Sequence, residues 1–220
     1  MFVCAPVYNH TQFAYNMSMV VKKEMRLQKI RQILQSQRGI LRTSDLDKRS
    51  IPRMYLAVLE QNGEIEKITR GIYVSAAIFE DEKYTFQLRY KSSIYSHETA
   101  LFIHGLTDRS PLYYSVSVPV GYHSVPLNKS RHKIFYVSRN LFDLGCVFMK
   151  SEYGNEIKTT NLERTICDVL RSRNQIETAI VNEAIKKYVR HKGRDLNQLY
   201  AYARQFRVQK IVRNTIEVLL

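Results

Sequence analysis

The sequence predicts an α+β chain in two parts: an N-terminal domain of helices closed by a hairpin, and a mixed α/β C-terminal domain ending in a helical subdomain. Three observations predict it. Apolar residues recur at helical spacing through residues 23–61 and give way to a short, glycine-punctuated ribbon. Aromatic and β-branched runs then gather between residues 112 and 160, and the last third returns to helical periodicity. A chain of 220 residues with 45% hydrophobic content has room for one large or two small domains around a real core.

Charge narrows the partners. The 34 Lys and Arg against 20 Asp and Glu give a formal charge of +14, which favours a polyanionic partner, nucleic acid or an anionic membrane surface. No apolar run is long enough to span a bilayer, so no membrane-spanning role is expected. Cys4, Cys146 and Cys167 form no CxxC pair and too small a set for a disulfide framework, which fits a reducing cytoplasm and no metal site. No P-loop, dinucleotide fingerprint or nucleophile elbow occurs, and no cofactor is expected.

Residues 1–22, "MFVCAPVYNHTQFAYNMSMVVK", lack the basic start of a secretion signal and a clear amphipathic period, and read as a tail. From Lys23 the spacing of Leu27, Ile30, Ile33 and Leu34 predicts a first helix that Gly39 stops. Thr43 or Ser44 can cap a short helix over Asp45 to Lys48, and Ser50 can cap another with Pro52 in its first turn. On that last helix a 100° step gathers Tyr55, Leu56 and Leu59 on one side and Arg53, Met54, Ala57 and Gln61 on the other. Asn62 and Gly63 end it. Ile65, Lys67 and Thr69 then alternate, Arg70 and Gly71 turn, and Ile72 and Val74 return.

Three helices followed by a two-stranded hairpin is the order of a winged helix-turn-helix domain, placed at residues 23–77, in which the second helix of the pair enters a groove and the wing grips the adjacent backbone. Its basic residues, from Lys22 to Arg70, outnumber its acids. The expected DNA-binding set is Thr43, Arg49, Ser50, Arg53, Met54, Ala57, Lys67 and Arg70. Within it Arg53 and Met54 face base edges, while Arg49, Ser50, Lys67 and Arg70 meet phosphates.

Residues 78–220 form the expected second domain. The run "AAIFEDEKYTFQLRY" suggests a connecting helix or irregular segment, and "SIYSHETALFIHGLTD" a helix capped by Ser96, carrying Ala100, Leu101 and Ile103 and stopped at Gly105. "LYYSVSVPVG", "HKIFYVS" and "GCVFMKSEYGNEIKTTN" read as strands, the last with a turn at Tyr153 to Asn155. "NLERTICDVLRSR", "ETAIVNEAIKKYVRHKG" and "DLNQLYAYARQFR" read as helices, with caps at Asn161 and Asp195.

The stretch "LDKRSIPRMYLAVLEQNGEIEKITRGIYV", followed by "SHETALFIHGLTD" and "LERTICDVLR", resembles the AbiEi-type abortive infection antitoxins, whose wing typically ends in an Arg-Gly-hydrophobic-Tyr step like Arg70 to Tyr73. The resemblance spans roughly Met25 to Phe206. It implies a type IV toxin-antitoxin and phage-defence protein: the winged helix binds inverted repeats in double-stranded promoter DNA and represses its own operon. The C-terminal domain would neutralise a cognate nucleotidyltransferase toxin without a stable complex. A monomer in solution that can assemble cooperatively on DNA is expected, and no enzyme activity.

Other readings compete. Asp143 with Glu156 and Lys158 has the residue types of a restriction-like, metal-dependent nuclease, although Glu156-x-Lys158 beside a turn also reads as an exposed cross-strand ion pair. His97 and His104 could share a metal, against packed or hydrogen-bonded histidines; Glu163 and Asp168 read as helix-surface partners of Arg164 and Arg171. Tyr84, Tyr90, Tyr95, Tyr113 and Tyr114 could form a docking patch or half-bury in the sheet. On the helix from Thr178 to Arg190, an inner arc holds Ile180, Val181, Ala184, Ile185, Tyr188 and Val189. The outer face carries Lys186, Lys187 and Arg190, continued by Lys192 and Arg194, and is the expected C-terminal functional surface, for nucleic acid or an acidic protein, or else a solvated face. The loop from Arg131 to Lys133 is the next candidate.

Overall fold

The computed structural model describes residues 10–76 and 81–216 and divides into two compact units, Met1–Glu80 and Asp81–Leu220.

The first unit runs α1 (His10–Ser36), β1 (Ile40–Arg42), α2 (Thr43–Asp47), α3 (Met54–Gln61), β2 (Ile65–Thr69) and β3 (Ile72–Ser75). This is a winged helix-turn-helix whose three strands lie in the order β1-β3-β2, all antiparallel. The expected face of α1 is buried: Leu27, Ile30, Ile33 and Leu34 join Leu41, Leu46, Leu56 and Leu59 in one cluster. Each such side chain contributes about 1.5–3 kcal/mol of transfer free energy, so the cluster fixes where α2 and α3 lie. Arg31 clamps the edge of that core, its Nε 2.7 Å from Glu64 Oε2, and holds the Glu64 carboxyl well below the usual range, at about 2.

Several expectations are corrected. The tail over residues 1–22 is helical from His10, so α1 begins there rather than at Lys23; residues 1–9 lie outside the described residues. No proline or glycine interrupts residues 10–36, so a helix anchored by its packed C-terminal turns extends backward without an amphipathic face of its own. Neither Thr43 nor Ser44 caps α2. The Asp45 carboxylate, in the first turn, instead accepts from the Arg42 N–H at 3.2 Å. Ser50 does not cap α3: it takes φ 53 in the turn between the helices, where Ile51 N–H donates back to Leu46 O at 3.0 Å. The alternation in β2 breaks at a bulge between Lys67 and Thr69, which turns Ile68 into the core and leaves Lys67 outside. Strand β1, three residues long, was too short to show a period.

The second unit contains α4 (Glu82–Arg89), β4 (Ile94–Tyr95), α5 (His97–Ile103), β5 (Ser115–Pro119), α6 (Val125–Asn128), β6 (Lys133–Val137), α7 (Arg139–Phe142), β7 (Cys146–Lys150) and β8 (Glu156–Thr160). Four helices follow: α8 (Leu162–Arg171), α9 (Thr178–Arg190), α10 (Leu196–Gln205) and α11 (Gln209–Ile216). The sheet is mixed, in the order β6-β5-β4-β8-β7, with β5·β6 and β4·β8 parallel. Two of the caps read from sequence are in place: Asn161 Oδ1 accepts from Arg164 N–H and Asp195 Oδ1 from Gln198 N–H, each at 3.0 Å; Ser96 stands at the N-cap position of α5 but makes no side-chain cap bond, its Oγ meeting His97 Nδ1 at 2.9 Å instead.

Two cores stand in this unit. One gathers Phe86, Tyr90, Tyr95, Val116, Val118 and Ile157 on the sheet, so Tyr90 and Tyr95 belong to it rather than to a docking patch, with Tyr84 and Tyr114 packed against it. The other packs α8 against α5, α9, α10 and α11. Glu163 and Asp168 are no surface partners: Glu163, Arg164 and Asp168 are buried within α8. Arg164 Nε donates to Asp168 Oδ2 at 2.8 Å, its Nη1 donates to the Leu144 and Leu141 carbonyls at 2.6 and 2.9 Å, and Glu163 Oε1 accepts the Asp195 N–H at 2.9 Å.

His97 and His104 are packed, each with protein partners. His104 Nε2 lies 2.6 Å from Thr160 O. His97 adopts φ 49, stacks on Phe135 with centroids 3.4 Å apart, and reaches Ser96 Oγ and Ser172 Oγ. Burial first, and then the nearby Arg164, push its imidazole down to about 3. The folded pKa is depressed, so the stability conferred by the neutral ring is complete above the ordinary value of 6.5 and is lost as pH falls from there toward about 3. His97→Asn tolerates the left-handed backbone but loses the stacked ring. It should melt below wild type at neutral pH, yet lose less stability between pH 6.5 and about 4.5. Equal acid losses in the two proteins, by thermal melting, would refute the assignment.

Candidate nucleic-acid interface

The exposed side of α3 is built by subtraction: Tyr55, Leu56 and Leu59 are drawn into the core, and the residues between them are left outside. Arg53, Met54 and Ala57 are all exposed, and Met54 stands out at 69% exposure, a large apolar side chain on the face that sequence assigned to base edges.

Arg53 is held. Its Nε donates to Asp47 Oδ1 at 3.0 Å and its Nη2 to Asp47 Oδ2, a two-point fork that joins the end of α2 to the start of α3. The hydrogen bond lowers the Asp47 carboxyl and raises the guanidinium. An incoming acceptor must therefore use the guanidinium edge that Asp47 leaves open, or displace Asp47. The periodicity that exposed Arg53 carries no trace of this partner, which lies across the turn at the end of α2.

Arg49 is exposed and spans the same turn, donating through Nη1 to Asp45 O at 3.1 Å. Ser50, also exposed, is its neighbour in the left-handed turn. Thr43 lies against the wing: its N–H donates to Gly71 O at 2.9 Å, and its Oγ1 stands 3.0 Å from where a Cβ on Gly71 would sit. The wing tip is thus pinned to the base of α2, with Lys67 and Arg70 exposed beside it. The structure gathers the predicted set of the first unit on α3, the turn before it and the wing, with Thr43 as hinge between them.

In the second unit the inner arc of α9 is buried as expected, with Val181, Ala184, Ile185 and Tyr188 inside. Lys186, Arg190, Lys192 and Arg194 are exposed. Lys187 differs: it is half-buried and bound at 2.8 Å to Asp108 and at 3.0 Å to Glu183, so its charge is largely answered within the unit. The nuclease-like residues are scattered. Glu156 pairs with Lys150 and Thr160 with Cys146, which sets Glu156 and the Asp143 end of the ladder about 13 Å apart, four residue steps; Lys158 Nζ lies 3.4 Å from Lys91 O. Among the described residues, no group of three or more His, Cys, Asp or Glu could hold a metal ion, and no helix is long and apolar enough to cross a membrane.

Residues 28–76 match the model of a family described as "Transcriptional regulator, AbiEi antitoxin". The resemblance read from the wing and α3 therefore holds over residues 28–76. The chain's fold is similar to the crystal structure of RV2827C protein from Mycobacterium tuberculosis, with a TM-score of 0.63 at 10% identity over 86% of this chain and 74% of that one; likeness at that identity concerns fold alone. No curated protein matches the chain.

Gly71 sits at φ 78, so Gly71→Ala combines a left-handed penalty with pressure on Thr43 Oγ1. A loss of about 1–3 kcal/mol of stability is expected, visible as an earlier thermal transition of the winged-helix unit. Unchanged melting would mean that the wing is not pinned to α2.

Proposed function

We propose that the chain is an antitoxin-type autorepressor, and the observation that carries this is the exposed α3 face with its basic wing on the very segment that matches AbiEi antitoxin regulators. Through this unit it binds inverted repeats in its own promoter. Arg53 and Met54 read base edges in the major groove, Arg49, Ser50, Lys67 and Arg70 hold phosphates, and Thr43 and Ala57 complete the contact. The Asp47 fork supports such a role because it presets the guanidinium, which then loses less freedom on binding. Residues 78–220 oppose a nucleotidyltransferase toxin through the face of Lys186, Lys187, Arg190, Lys192 and Arg194. The protein acts in the cytoplasm by binding rather than catalysis, as a monomer that assembles cooperatively on DNA.

Promoter binding tests the first half. Arg53→Ala should cost about 1–3 kcal/mol on the operator and relax base preference. Lys67→Ala or Arg70→Ala should weaken all sequences alike and reduce the salt slope by about one unit each. Undiminished promoter binding by the triple variant, measured by fluorescence anisotropy, would sink the assignment.

The second half is tested in cells carrying the toxin gene. A full-length chain with Lys186→Glu, Arg190→Glu and Arg194→Glu leaves the Lys187 ion pairs intact and should stay folded by circular dichroism, yet fail to protect. Full protection by this variant would place the antitoxic surface elsewhere in the unit.

A further inference from the structure

We propose that the second unit contains a phosphate-binding site in the cavity at the end of α9, a deepening of the functional surface assigned above. The cavity has a volume of about 440 Å3 and is lined by Gly105, Leu106, Lys187, Arg190, His191 and Lys192. Among the described residues that line it none is acidic, Asp108 and Glu183 standing behind Lys187. Its apolar part comes from the turn out of α5, where Gly105 takes φ 67 and a Cβ would meet nothing within 4 Å, so the space in front of that backbone is open. Its polar side chains are those of Lys187, Arg190, His191 and Lys192.

Those donors differ in how they are held. Lys187 is anchored by Asp108 and Glu183 at the rim. His191 is fixed by its own loop: the Gly193 N–H donates to Nδ1 at 3.0 Å, so the proton of the neutral ring resides on Nε2, its remaining donor. The ring lies over Gly193, where a Cβ would stand 3.2 Å from Cε1. The side chains of Arg190 and Lys192 make no hydrogen bond or ion pair among the described residues. A planar fork, a point charge and an oriented imidazole N–H around one concavity form a donor set for the oxygens of a tetrahedral polyanion.

The opposing effect is small. Lysine and arginine at a helix C-terminus are favoured by the dipole whatever they bind, and the same dipole weakly repels an anion. A charge-assisted hydrogen bond is stronger than that repulsion, so two suffice to overcome it. Dipole complementation also needs neither a cavity nor a ring held in register. The shared chemistry is the phosphate group, whether it arrives on a free nucleotide or in the backbone of a nucleic acid.

Calorimetric titration of the full chain with pyrophosphate at fixed ionic strength is the test. One saturable site is expected, weakened about tenfold by Arg190→Ala. Gly193→Ala alters no charge but displaces the His191 ring, and should also weaken binding. Lys210→Ala, an exposed cation of the same unit outside the cavity, should change affinity less than about twofold. Absence of saturable binding, or equal losses from Lys210→Ala and Arg190→Ala, would overturn the site in favour of diffuse charge. ATP and a ten-nucleotide RNA lacking terminal phosphates separate the sources: Arg190-dependent binding of ATP alone identifies a free nucleotide, and Arg190-dependent binding of the RNA identifies a backbone phosphate. Pyrophosphate binding by a protein whose charge-reversal variant still protects cells would count against the antitoxic surface while leaving this site in place.

Discussion

The second unit is organised around one buried cation. Arg164, with no exposed surface, lies in the middle of α8, where an unpaired guanidinium would be prohibitively costly. It is answered on three sides. Asp168 supplies the charge one helical turn on, the Leu141 and Leu144 carbonyls accept from Nη1, and the Phe206 ring stacks 4.0 Å from its central carbon. These partners come from α7 and its following turn and from the end of α10, so seating Arg164 fixes elements that are far apart in sequence. Gly145 shows how tight the fit is: a Cβ there would lie 2.8 Å from Arg164 Cβ. A pair of this kind contributes little net stability against an apolar substitute, but it admits few alternative packings. Burial pushes the Asp168 carboxyl up against the opposing pull of Arg164.

The first unit solves a different problem with smaller means. Beyond the long α1 its helices are short: α2 has five residues and α3 eight, too few to hold a geometry by propensity. Connections do the fixing: the Ile51 to Leu46 bond closes the turn between α2 and α3, Thr43 to Gly71 closes the wing on α2, and Asp47 to Arg53 ties the two helices on the outside. The exposed face of α3 is therefore positioned by contacts at its two flanks as well as by the core beneath it.

Periodicity made much of this legible. Leu27, Ile30, Ile33 and Leu34, or the inner arc of α9, repeat often enough for geometry to determine their side. Asn161, Asp195 and Gly105 were legible because a cap or a left-handed turn needs few residue types. What escaped had its cause at a distance. The LERTICD segment reads as a charged helix surface because Glu163, Arg164 and Asp168 resemble solvated residues until the Leu144 carbonyl and the Asp195 N–H arrive from elsewhere. Lys187 looked equivalent to Lys186 until Asp108 from the α5–β5 connection bound it. The bulge at Ile68 left no local mark.

That contrast bears on how the net charge of +14 is to be used. A long-range field draws in polyanions regardless of where its cations stand. Recognition depends on which of those cations are uncommitted. Arg31 and Arg164 are consumed by the fold, and Lys187 is held at the edge of its unit. Arg53 is committed on one side and open on the other. Lys67 and Arg70 on the wing, and Arg190 and Lys192 beside the cavity, are exposed. Exposed cations thus occur on both candidate surfaces, one on each unit, and each surface also carries a group of fixed orientation: the guanidinium of Arg53 in the first and the imidazole of His191 in the second. A mobile cation supplies attraction that any polyanion can use. The fixed neighbour supplies the direction that distinguishes one polyanion from another.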